Sequence, residues 1–137
     1  MFSARRAVVA VVAAAAFGVL GLTAPASADI TINHYVATIS NGTWSFKVHL
    51  SEQTDITEAF ASLNNTSNKH VNGAILRTGP EYNVGYSWHL DSHDVNFVDI
   101  SMEICDGSPQ DVEDGTLSGD RYCPWGGRVV AMEKVTF

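Results

Sequence analysis

His89, Asp91 and His93 stand at alternate positions within residues 86–105, YSWHLDSHDVNFVDISMEIC. On a strand that spacing puts all three on one face, where two imidazoles and a carboxylate can address one zinc or calcium ion. The solvent face of a strand has the same pattern, and three residues leave a metal shell incomplete, so the solvated reading carries more weight. His34, His49 and His70 occur singly in strand-like runs and read as surface or satisfied residues.

Other chemistry-bearing residues are weaker still. The acidic stretch 106–120, DGSPQDVEDGTLSGD, offers Asp111, Glu113 and Asp114 to calcium, but lacks the alternating carboxylates before a glycine that a calcium loop requires. Asp99 and Glu103 share a strand face, yet four residues of strand separate their backbones by about 13 Å, too far for paired glycosidase carboxylates unless the side chains lean together. No serine stands in a G-x-S-x-G context and the histidines are scattered. The expectation is a protein without catalytic residues or cofactor. Trp125, in Cys-Pro-Trp-Gly-Gly, either covers the sheet edge or presents a rigid aromatic anchor to a protein or sugar.

The elements that position these residues follow an N-terminal segment with its own pattern. Arg5 and Arg6 precede an apolar run over residues 7–22, and Ala26 and Ala28 form an A-x-A site before Asp29. Residues 1–28 therefore read as a secretory signal peptide, leaving a single secreted domain over residues 29–137 and no membrane span after cleavage. Removing the two leader arginines leaves six Lys/Arg against fifteen Asp/Glu, a net charge of −9 with neutral histidines. That surface repels phosphate backbones and anionic lipid, which argues against nucleic-acid or membrane partners and leaves an extracellular protein or small ligand. In an oxidising compartment Cys105 and Cys123, the two cysteines of the chain, most simply form one disulfide. The alternative, a zinc site, finds only Asp120 near Cys123.

Residues 30–39 are rich in β-branched and aromatic side chains, Ser40-Asn41-Gly42 supplies a turn, and residues 43–50 alternate Trp44, Phe46, Val48 and Leu50 against polar neighbours. An opening hairpin is predicted. Ile56, Ala59, Phe60 and Leu63 then fall at helical spacing, with Asp55 and Glu58 resembling a capped start. Residues 70–77 read as a strand. Tyr86, Trp88 and Leu90 are expected on the buried face of a further strand, residues 91–94 as a turn, and Val98, Ile100, Met102 and Ile104 as the buried face of its hairpin partner. A short helical turn is predicted at Ser108-Pro109, and a last strand over residues 127–137. The fold class is α+β: a mostly antiparallel sheet of about five or six strands, one packed amphipathic helix and one disulfide.

Tyr82-Asn83, Gly85-Tyr86-Ser87-Trp88-His89-Leu90-Asp91, Phe97, Glu103, Cys105-Asp106, Val112-Glu113-Asp114 and Cys123-Pro124-Trp125 occur in an order that resembles the small secreted bacterial domains called calmodulin-binding-protein-like. The resemblance covers most of residues 71–130 and is faint before them. It implies that Cys105 pairs with Cys123 and that His89-Leu90-Asp91 is a core signature, and it implies nothing catalytic. The chain departs from the pattern at Val84 and Ser92, where prolines are usual, and in a shortened helix between the cysteines. The functional expectation is a non-enzymatic binding or inhibitor-like domain using Trp125, His89 and Asp91. The alternative is a metal-binding protein, possibly hydrolytic, using His89, Asp91 and His93.

Overall fold

The computed structural model describes residues 31–137, together with Gly21 and Ala24. The leader and its cleavage site lie outside the described residues, as does the start of the first predicted strand. Strand β1 (Tyr35–Ser40) turns through Asn41 and Gly42 into β2 (Ser45–Leu50). The Asn41 carboxamide accepts from the amides of Thr43 and Trp44, and Gly42 takes a φ of +88°, the conformation that an Asn-Gly turn provides. Phe46, Val48 and Leu50 are buried, as their alternation predicts.

Helix α1 (Gln53–Leu63) follows, burying Ile56 and Ala59. Its N-cap is Glu52, which makes no side-chain capping bond, so the start lies ahead of Asp55. Asp55 is instead buried inside the first turn, where desolvation, then the charges of Glu52 and Glu58, raise its pKa. Strand β7 (Arg128–Lys134) closes the first sheet, in the order β2-β1-β7, and Ser62 Oγ accepts from Val129 N to tie the helix to it.

Strand β3 (His70–Leu76) is the hub of the second, four-stranded sheet. It pairs antiparallel with β4 (His89–Leu90), β5 (Asn96–Val98) and β6 (Arg121–Tyr122). A Cβ on Gly73 would stand 3.1 Å from Val95 and 3.2 Å from Leu90, so the missing side chain lets both pack against the β3 backbone. Antiparallel pairing, one main helix and one Cys105–Cys123 disulfide make the fold α+β, with seven short strands in two sheets.

The predicted hairpin over residues 86–104 does not form. Both β4 and β5 run antiparallel to β3 and hence parallel to each other. Residues 91–95 detour between them: Asp91 N donates to Ala74 O, and Asp94 Oδ2 accepts from Ala74 N, a carboxylate standing where a strand carbonyl would be. The buried parity after the detour is Val95 and Phe97, not Val98, Ile100, Met102 and Ile104. Pairing ends at Val98, and a 3₁₀ turn at Glu103–Cys105 leads into the disulfide, where Cys123 N also donates to Cys105 O. Ile100, Met102 and Ile104 consequently lie in solvent.

Helix α2 (Pro109–Glu113) starts as predicted. Ser108 Oγ accepts from Asp111 N while the Asp111 carboxylate accepts from Ser108, and these bonds lower the Asp111 pKa. At the centre, Phe46, Trp88 and Tyr122 meet pairwise at ring-centroid distances of 5.7, 5.1 and 5.5 Å, joining the two sheets. Burial pushes the Tyr122 phenol well above its usual range, and its hydroxyl donates to Gly107 O.

Candidate functional site

Two polar clusters and one apolar face distinguish the surface. The first cluster begins with His89 on β4. Its Nδ1 donates to Gly79 O at 2.7 Å, which turns Nε2 toward Glu81 Oε2 at 3.7 Å. The other oxygen of Glu81 lies 2.9 Å from His49 Nδ1, and His49 Nε2 lies 3.0 Å from His34 Nδ1. His34, His49, Glu81 and His89 thus form one hydrogen-bonded and ionic chain from the β1–β2 sheet to the 78–88 loop. Tyr82 packs its ring on His49, and Glu81 holds a left-handed φ of +50°.

Asp91 and His93 do not join this chain. Asp91 Oδ1 accepts from the His93 amide, fixing the turn, and the exposed His93 ring reaches toward Glu52 at 4.0 Å. Among the described residues, no group of three or more His, Cys, Asp or Glu side chains is placed to hold a metal ion. The acidic stretch has structural partners as well: Asp111 caps α2, and Glu113 accepts from both the amide and the hydroxyl of Ser87.

The second cluster surrounds Trp125. Its indole Nε1 donates to Ser101 Oγ at 2.8 Å, and the same oxygen meets His70 Nε2. Its amide donates to Asp106 Oδ1. Burial lowers the His70 pKa, with Asp106 opposing and Arg128 reinforcing the shift. A Cβ on the neighbouring Gly127 would stand 2.7 Å from Ile39, so glycine alone lets the corner close against β1. Asn68, His70, Asp99, Ile100, Ser101 and Trp125 line a cavity of about 330 Å³.

The apolar face runs beside that cavity. Trp125 is 43 % exposed, and Ile100, Met102 and Ile104 are 87, 70 and 78 % exposed. A second cavity of about 290 Å³ lies along Met102 and Ile104 and shares Ser101 with the first. Of the residues expected to bind, Trp125 therefore lines this surface, whereas His89 and Asp91 are engaged elsewhere. Ile100, Met102, Ile104 and His70 were not expected here. Their signal is present in the sequence as strand alternation, but it is indistinguishable from that of a core strand.

A family model for a calmodulin-binding-protein-like N-terminal domain matches residues 33–136, and so includes the first hairpin and α1, where the resemblance is faint. No curated protein and no solved structure matches the chain. The chain belongs to this family of calmodulin-binding-protein-like N-terminal domains.

Proposed function

We propose that this is a secreted, non-enzymatic binding domain whose recognition surface is the face formed by Ile100, Met102, Ile104 and Trp125. The observation that carries this reading is the exposure of four large apolar side chains on one short stretch and its adjoining corner. Single exposed apolar residues are ordinary, but a contiguous group marks an interaction surface. The face is rigid: the disulfide anchors one end, β5 the other, and the Trp125–Ser101 hydrogen bond holds the indole in place. Rigid aromatic and aliphatic anchors lose little conformational freedom on binding.

Export is supported by the leader pattern of residues 1–28 and by the disulfide, and a bacterial setting by the resemblance to small secreted bacterial domains. An extracellular protein is the partner that the size and apolar character of the face favour. The test immobilises the mature domain and its Trp125→Ala, Ile100→Ser double variant and compares, by quantitative mass spectrometry, what each retains from the medium of the producing cells. The expected result is one or a few proteins held by the native domain and absent from the variant, with unchanged circular dichroism. Equal retention by both would overturn the reading.

A further inference from the structure

Residues 99–102 continue past β5 as extended chain. Among the described residues, no backbone hydrogen bond within the chain engages Ile100 or Ser101. Extended backbone with free donors and acceptors, flanked by side-chain cavities, is the arrangement that receives another extended segment. The two cavities follow one another along this stretch and share Ser101, as successive side-chain sites would.

Charge narrows the occupant. Asp99 lines the first cavity and Asp120 the second, while Glu103 and Asp106 belong to the same stretch. Nearby cations are already engaged: Arg121 binds Asp94 and Asn72, and Arg128 binds Ser67 O and Asn68. His70 is held toward its neutral form by burial. The first cavity thus combines a carboxylate, an indole and the acceptor groups of Asn68 and Ser101, a set that suits an ammonium or guanidinium. A second copy of this chain, with its own net charge of −7, and an anionic lipid surface are both disfavoured.

Building on the binding reading above, we propose that the cavity between Trp125 and Asp99 takes a lysine or arginine side chain of an extended partner segment, whose adjoining apolar side chain lies on Met102 and Ile104. The partner is therefore a protein with an accessible strand or tail that alternates basic and apolar residues. The second cavity accepts the apolar member, and Ser101 between them faces the partner backbone.

The probe is the peptide acetyl-Val-Lys-Val-Lys-Val-amide, titrated against the mature domain by NMR, with forms carrying norleucine or glutamate in place of lysine. Saturable shifts of the Trp125 indole N–H and the Ile100 and Met102 methyls are expected with the lysine peptide. Asp99→Asn should weaken binding about threefold to fivefold, and the glutamate peptide should give no saturable shift. Equal affinity for the norleucine peptide, or no effect of Asp99→Asn, would overturn the basic-side-chain site. So would a flat titration with every peptide, and in each case the retention experiment decides separately whether the face binds at all. A dimer in sedimentation that Ile100→Ser dissolves, or binding to phosphatidylglycerol vesicles that the same variant removes, would replace the peptide by a second copy or a membrane.

Discussion

The indole of Trp125 and the hydroxyl of Ser101 are joined at 2.8 Å, and through that hydroxyl the corner reaches His70. The hydrogen bond orders three groups from different parts of the chain: the cysteine-tied corner, the free stretch after β5, and the start of β3. Each therefore reports on the others.

The pH dependence of stability follows from His70. Burial lowers its pKa, so the unfolded state binds the proton first as pH falls. The stabilising contribution is complete above the unfolded value of about 6.5 and is lost as pH drops from there through the lower folded value. The melting temperature of the native domain should accordingly fall more steeply between pH 7 and pH 5, on the order of that window, than that of His70→Gln. Parallel curves would contradict the assignment.

Asn83 is 1 % exposed and joins two elements at once. Its Oδ1 accepts from Lys47 N at 2.9 Å and its Nδ2 donates to Trp88 O at 3.0 Å. Replacing it with alanine leaves both backbone groups unpaired beside the aromatic centre. The expected loss in urea unfolding is about 2–4 kcal/mol. A loss under about 0.5 kcal/mol, the size of an ordinary surface change, would show that water satisfies them instead.

Asp55 is a defect that substitution should repair. Its raised pKa means that ionisation opposes folding, so its unfavourable effect is absent below the unfolded value and grows as pH rises through the folded one. Asp55→Asn should stabilise the domain at pH 7 by about 1 kcal/mol, and this gain should vanish near pH 3, on the order of the carboxyl range. A destabilised variant at pH 7 would indicate that the carboxylate supports the first turn of α1 more than burial opposes it.

Much of the frame was legible in the sequence because local rules and tertiary packing agree there. Thr43 to Leu50 alternates as a half-buried strand must, Ser108-Pro109 starts a helix, and Cys105 pairs with Cys123. The 98–104 run misleads because its alternation has the period of a core strand, while the core is taken by the opposite parity, Val95 and Phe97. What shifts the phase is the detour at residues 91–95, where Asp94 replaces a carbonyl, and no local pattern encodes that substitution. The His34–His49–Glu81–His89 chain escaped for a different reason. It depends on the β1–β2 register, which sets Val36 opposite His49, and on a loop conformation with Glu81 at positive φ.

The claim that the exposed face is a recognition surface is tested most directly by placing a photo-crosslinking amino acid at Met102 and, separately, at Val84, an exposed apolar position away from the face. Both proteins are irradiated in the medium of the producing cells. The account predicts a defined adduct at Met102 that excess unlabelled domain suppresses, that Trp125→Ala removes, and that Val84 does not give. The same adducts from both positions, or none from Met102, would contradict it.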